Sequence, residues 1–494
     1  VSNGTLSASG NVSFDGGTIK LDGNYPTGTG NVALGDAAMS AITNGERNVA
    51  IGTNTLDANT TGDRNTAVGY AALSDYNVTD GGNDYNVAVG YAALNQTTTG
   101  EFNTAIGGDA LQANTTGEKN TAVGYDSGRT NTTGVRNTSV GNESFHDNTT
   151  GDYNVAMGHQ ALYSNTTADY NTGIGYAALT ANTTGQKNTA VGGQALDANT
   201  DANNSTAVGY QALTTNTTGS QHTAVGYRAL ASNTTASYNT AVGRTALEDN
   251  TTGTNNTAVG YQAMQVNTTA SNNTAVGYQA LTSKTTGDNN SAFGAFAGHE
   301  LTTGVQNTFI GKNAGYYTTT ANYNTGVGHN ALVANTTGAD NTAVGAFALD
   351  ANTTAIYNTG IGYAALSENT TGANNTGVGH LALLYNTTGI SNTAIGKSAL
   401  ESNTTSNNNT AVGENALTST TGASNTAVGT GAGTSITSGA NNTIIGGFQG
   451  NQHGLDIRTS SNYIVLSDGG GNPRMYYDSN TWKIHNTGST ANAN

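Results

Sequence analysis

One glycine recurs along this chain at a fixed interval. It stands at Gly35, Gly52 and Gly69, resumes at Gly90, and continues to Gly413, Gly429 and Gly446, 25 copies in all. Of the 24 intervals, 22 are 17 residues, one is 21 (Gly69 to Gly90) and one is 16 (Gly413 to Gly429). Such a period marks a solenoid in which each unit stacks on the next. Seventeen residues are too few for a strand plus a full helix, which takes about 20 or more in leucine-rich repeats. They suit one coil of short strands and turns. The expected fold is all-β: a parallel β-solenoid, or β-roll, of about 25 coils.

Columns of like residues define the coil. The residue before the glycine (position −1) is apolar in every copy, and Thr, Val or Ser stands at −3. Residues two apart share a strand face, and β-branched residues favour strands, so this pair is read as pointing inward. A leucine column lies at +4, as at Leu213 and Leu230. Gly128, Gly298, Gly315 and Gly433 interrupt it, and thinner coils are expected there. A glycine without exception implies positive φ or a backbone approach that a Cβ would block.

Asparagine occupies −4 in 23 of 25 copies; Ser205 and His222 are the exceptions. A second asparagine column opens the N-T-T segments, as at Asn199, Asn216, Asn233 and Asn250. Stacked about 4.8 Å apart, amides can hydrogen-bond along the axis. The structural ladder is represented by Asn171, Asn188, Asn239, Asn256 and Asn273 with Gly175, Gly192, Gly209, Gly226, Gly243, Gly260 and Gly277. N-T-T also matches a glycosylation acceptor, but a ladder is the favoured reading. The two prolines, Pro26 and Pro473, lie outside the array, where each coil must donate N–H groups to the next.

Both ends depart from the repeat. Residues 1–30 read as an N-terminal β cap or connector, with a hairpin signal around Phe14 and Ile19. The chain starts at Val1 rather than Met, so processing or a missing N-terminus is expected. Residues 31–450 are the array. Residues 451–494 read as a C-terminal β capping module with a flexible tail. There Tyr476, Tyr477 and Trp482 form an aromatic cluster, a candidate receptor contact, although the core of a capping hairpin is the more ordinary reading.

Composition narrows the chemistry. Fifteen Lys and Arg against 31 Asp and Glu give a net charge of −16, which argues against nucleic acid and anionic membranes as partners. Without a long apolar run, neither a transmembrane helix nor a signal peptide is expected. Cysteine is absent, which removes disulfides and thiolate chemistry. The eight histidines are scattered; His159, His329 and His380 share the +1 column but not adjacent coils. Asp468 opens a D-G-G turn without the repeat that makes such turns bind calcium. No metal, cofactor or catalytic residue is therefore assigned, and the chain is not expected to be an enzyme.

Three functional readings of the surface remain weaker. Paired carboxylates for glycoside cleavage can arise by accident among so many acids, and no coil sets them beside aromatic residues. Tyrosine pairs such as Tyr210 and Tyr227, or Tyr261 and Tyr278, fall on neighbouring coils, either stacking along the axis or offering a sugar platform. Threonine arrays can bind ice, but the consecutive threonines of N-T-T point to opposite faces.

The N-T-A-V-G-Y-Q-A-L run at residues 273–281, with N-T-T-G closing other copies, resembles the repeat-containing tail fibre proteins of tailed bacteriophages, of the marine and cyanobacterial type. The flanks G-T-I-K-L-D-G-N-Y-P (residues 17–26) and G-L-D-I-R-T-S-S-N (residues 454–462) are similar too. More distantly, N-T-A-V-G resembles the head repeats of trimeric autotransporter adhesins, which form a left-handed parallel β-roll with a shorter repeat. The resemblance implies a homotrimer and an attachment role. Related fibres often end in a self-cleaving chaperone, and nothing after Asn462 resembles one. The expected function is a structural virion fibre on the virion surface, outside the cell, acting as spacer and adhesin. Its expected partners are other tail or baseplate proteins and a host-surface glycan or protein, without membrane insertion. A glycan-degrading tailspike and a bacterial surface adhesin or extracellular filament are the alternatives.

Overall fold

The computed structural model describes residues 28–79 and 82–484. The hairpin signal and flanking motif before residue 28, and the tail from 485 onward, lie outside the described residues. Contacts group the chain into two units, Val1–Gly193 and Gln194–Asn494. Both are parallel β-solenoids, about 25 coils in total, and the described residues contain no helix.

In the first unit, ten strands run from β1 (Val32–Leu34) to β10 (Thr189–Val191), each pairing in parallel with the next. In the second, fifteen strands from β11 (Thr206–Val208) to β25 (Thr443–Ile445) repeat the pattern. Equivalent residues face each other throughout: Thr206 pairs with Thr223, Ala207 with Ala224 and Val208 with Val225. After a short antiparallel pair, β26 (Asn451–Gln452) with β27 (Leu455–Asp456), strand β28 (Ile464–Ser467) adds in parallel to β25. Strands β29 (Pro473–Tyr477) and β30 (Trp482–Ile484) then turn antiparallel.

The strand faces are the reverse of the sequence expectation. In β11 the middle residue, Ala207, is fully buried, while Thr206 and Val208 face outward. The reason is volume. Alanine at +3 and leucine at +4 enter each coil from the opposite wall, as Ala212 and Leu213 do, and both are fully buried. A Cβ on Gly173, in the middle of β9 (Thr172–Ile174), would lie 3.2 Å from Leu162 Cγ. Alanine or glycine fits that gap; an inward valine would not.

The invariant glycine meets both conditions that exclude a side chain. From Gly175 to Gly277 its φ runs from 134° to 142°, and a Cβ on Gly277 would come within 2.6 Å of the Gly294 carbonyl carbon. Three other positions per coil (−5, +2 and +4) are also left-handed, as at Arg64 (59°), Ala71 (52°) and Leu73 (54°). Their N–H groups run along the axis. Arg64 and Ala71 donate backward to Glu46 O and Thr53 O, and Leu73 forward to Ala93 O. These bonds offset the left-handed penalty of about 1–2 kcal/mol per residue.

Nor are the leucine-less coils simply thin. Phe309, in the middle of β17 (Thr308–Ile310), fills the space beside Gly298 and Gly315, and Ile444 lies against Gly433. Near Gly128, hydroxyls replace methyl groups: Ser127 Oγ lies 2.7 Å from Ser139 Oγ and 3.0 Å from Ser144 Oγ.

Candidate functional site

The buried asparagines form two ladders of different kinds. At −4, the rule is that the amide oxygen accepts from the backbone N–H of the next asparagine and the amide nitrogen donates to a carbonyl 14 residues on; Asn65 donates instead to Asp84 Oδ2 (3.2 Å), and Asn409 Nδ2 has no partner. Asn256 Oδ1 accepts from Asn273 N (3.0 Å) while its Nδ2 donates to Ala270 O (2.8 Å). Asn171, Asn239 and Asn273 donate likewise to Gly185, Gly253 and Gly287, and Asn188 N donates to Asn171 Oδ1. In the N-T-T column at +7, amides bond amides coil after coil, as from Asn233 to Asn216 (2.8 Å), Asn250 to Asn233 (3.0 Å) and Asn267 to Asn250 (2.7 Å), a bond the −4 column makes in some coils only, as from Asn290 to Asn273 (3.1 Å). These side chains are fully buried, so their nitrogens face neighbouring amides rather than solvent.

His222 shows what the −4 site requires. Its Nδ1 accepts from Asn239 N (3.3 Å) and its Nε2 faces Ala236 O (2.7 Å), the same acceptor–donor pair an asparagine supplies. That fixes the neutral ring with the proton on Nε2. Burial pushes its pKa down to about 4. Lys284 stands in the +7 column, fully buried, with Nζ donating to Gly304 O (2.6 Å). Burial lowers its pKa to about 7, and the Asp288 charge opposes that shift. The carbonyl of the adjacent Asn267 is left without a partner.

Of the C-terminal aromatics, the fold brings only two together. Tyr477 and Trp482 are cross-strand partners with ring centroids 5.5 Å apart. Tyr476 projects from the other face, where Lys483 Nζ lies 5.7 Å from its ring centroid. The cluster is not the core of a capping hairpin: Trp482 is 53 % exposed and Ile484 82 %. The Asp468 carboxylate is held by Asn472 N (2.9 Å), Asn472 Nδ2 (3.0 Å) and Arg474 (2.5 Å). These donors hold it well below the usual carboxylate pKa and occupy the oxygens a cation would need. Among the described residues, no three His, Cys, Asp or Glu converge as a metal site.

Most surface aromatics stack along the axis. Tyr210 and Tyr227 lie 5.9 Å apart at 18°, Tyr261 and Tyr278 5.2 Å apart at 7°, and His159 stacks on Tyr176. Stacked rings cover each other's faces, whereas a sugar platform needs a free face.

Acids do gather near aromatics, not within one coil but across successive coils. Asp109, Asp126 and Glu143 share the +2 column. Gln112 Nε2 donates to Asp109 Oδ1 (2.9 Å), and Arg129 lies 3.6 Å from Asp126. Tyr163 stacks on His146 at 4.8 Å, and burial followed by the charges of Asp147, Glu143 and Asp126 raises its pKa. Burial and the Asp126 charge likewise raise the pKa of Asp109. Aligning the copies in register is the sequence signal that reveals this column.

The largest feature that sequence reasoning misplaced is the outward strand face. Its −1 column includes Ile106, Met157, Phe293 and Ile310 (each 41 % exposed) and Ile445 (48 %). Its −3 column is threonine from Thr308 to Thr443 without a break. Neither column holds a charged residue or a histidine in any coil. The N-T-T threonines are committed elsewhere, as with Thr115 Oγ1, which donates to Thr132 O (3.0 Å).

Compared with known proteins, the chain matches no family model and no curated protein.

Proposed function

We propose that this chain is the structural fibre of a tailed-phage virion, a homotrimer on the virion surface that spaces and presents an attachment surface to the host. The observation that carries this reading is the unbroken register of each unit, in which every coil pairs residue for residue with the next. A repeat so regular, with two alanines and one leucine as its buried apolar side chains, makes a uniform surface rather than a pocket. Repeated weak contacts along such a surface add through effective concentration. The half-buried Tyr477 and exposed Trp482 are the favoured host contact, and tail or baseplate proteins would hold the chain elsewhere.

Adsorption to cells tests the reading. Fluorescently labelled chain should bind a subset of a bacterial panel that includes cyanobacteria, saturably, and should compete with adsorption of the phage that carries it. Absence of the chain from purified virions would refute it.

One observation favours a second reading, a glycan-degrading tailspike: the Asp109, Asp126 and Glu143 column, whose Asp126 and Glu143 charges reach Tyr163. Carboxylates about 5–5.5 Å apart can cleave glycosides with retention. That reading predicts new reducing ends from host polysaccharide, lost in Asp126→Asn. A bacterial surface adhesin or extracellular filament is the remaining alternative, distinguished by a secretion signal in the gene.

A further inference from the structure

We infer that the outward T-x-V face of the strands is the surface on which a second copy of this chain docks, parallel and in register. The inference deepens the reading of the chain as a homotrimeric fibre and rests on it: a closed ring of three copies about a common axis requires parallel chains.

Charge points to the occupant. Each chain carries a net −16, so two copies repel wherever their acids meet. The −1 and −3 columns are free of charge over all 25 coils, whereas other surface columns carry residues such as Asp109, Asp126, Arg64 and Lys119. This is the face on which a strongly acidic chain can approach itself.

Register points the same way. A partner has to match one apolar side chain per coil, coil after coil. A second copy has the same rise, so a fit made at Val242 repeats at Val259 and Val276 without accumulating error.

The area is sufficient. In the second unit, fifteen strands at about 4.8 Å by three residues at about 3.3 Å present roughly 700 Å² of sheet. A standard stable interface buries about 800 Å² per partner. Most strands add one half-exposed Val or Ile to this face beside a threonine, and a row of such apolar side chains over successive coils marks an interaction site.

The experiment is light scattering on the full chain and two triple variants. Val242→Glu/Val259→Glu/Val276→Glu places acids on the face. Thr252→Glu/Thr269→Glu/Thr286→Glu places the same charge on exposed loops of the same coils. The unaltered chain and the loop variant should both measure about three times 49.7 kDa. The face variant should fall threefold in mass with its circular dichroism unchanged.

Should the face variant lose its structure, cysteine cross-linking decides instead, because the chain contains no cysteine. Val259→Cys should oxidise to covalent dimers, and Thr269→Cys should not. An oligomer that survives the face charges and resists cross-linking at 259 overturns the docking face while leaving the fibre reading intact. An unaltered chain of 49.7 kDa overturns the trimer and the docking face together. If that monomer also slows ice growth, the occupant of the face is ice.

Discussion

The Phe309 ring occupies the room that a leucine would take at Gly315: a Cβ there would stand 2.5 Å from ring Cδ1. Gly298 and Gly326 close the same ring from neighbouring coils, each with a would-be Cβ 3.1 Å from it. One large residue in the strand column is thus compensated by Gly298 and Gly315 in the column opposite and by Gly326, its own partner on the next strand. Phe309→Ala should destabilise the surrounding coils by about 3–5 kcal/mol. Gly315→Leu alone should also destabilise, by overpacking. The double variant should recover much of both losses in amide exchange across residues 298–332. A double variant no better than the worse single would refute the compensation.

His222 makes one coil sensitive to acid. Its folded pKa of about 4 lies below the ordinary value of 6.5. A base with a depressed folded pKa contributes stability that is present above pH 6.5 and lost as pH falls toward 4. The loss amounts to about 3 kcal/mol. Protonation would also set an Nδ1 proton against the Asn239 N–H. Amide exchange around residues 205–239 should accelerate between pH 6.5 and 4, and His222→Asn should remove that acceleration while keeping the ladder. An unchanged pH profile in the variant would count against it.

Lys284 predicts the opposite end of the pH scale. Its folded pKa of about 7 lies below 10.5, so the protein gains stability as pH rises from 7 to 10.5 and carries the full penalty at and below pH 7. The span corresponds to about 5 kcal/mol. Lys284→Asn should stabilise the chain at neutral pH by a large part of that amount, because the new amide meets the idle Asn267 carbonyl. Thermal melts of both proteins at pH 7 and pH 10 measure the effect. Equal melting at pH 7 would show that the lysine is not buried as a cation.

The two asparagine columns should differ in energetic weight. Asn256→Ala strands the buried Asn273 N–H, at about 1–3 kcal/mol, and leaves Ala270 O with Asn267 Nδ2 as its remaining side-chain donor. Asn250→Ala removes the Oδ1 that accepts from Asn267, but Asn267 Nδ2 keeps Ala270 O as acceptor at 3.1 Å. Local exchange should therefore rise much more in Asn256→Ala. Equal effects would mean that the −4 amides do not bridge the coils as described.

Much of this protein was legible in its sequence because a repeat aligns with itself. The glycine interval dictates stacking, the stacking places equivalent residues side by side, and the invariant glycine announces a site with no room for a Cβ. The exceptions required coordinates. His222 replaces asparagine because its two ring nitrogens reproduce an acceptor and a donor, a likeness of geometry rather than residue type. Asp126 and Glu143 meet Tyr163 only across coils. Above all, alternation establishes that Thr206 and Val208 share a face but leaves open which face is inside. The cross-section decides that: Leu213 and Ala212 fill the coil from the opposite wall, a residue as small as Ala207 fits against them, and the β-branched residues are left outside.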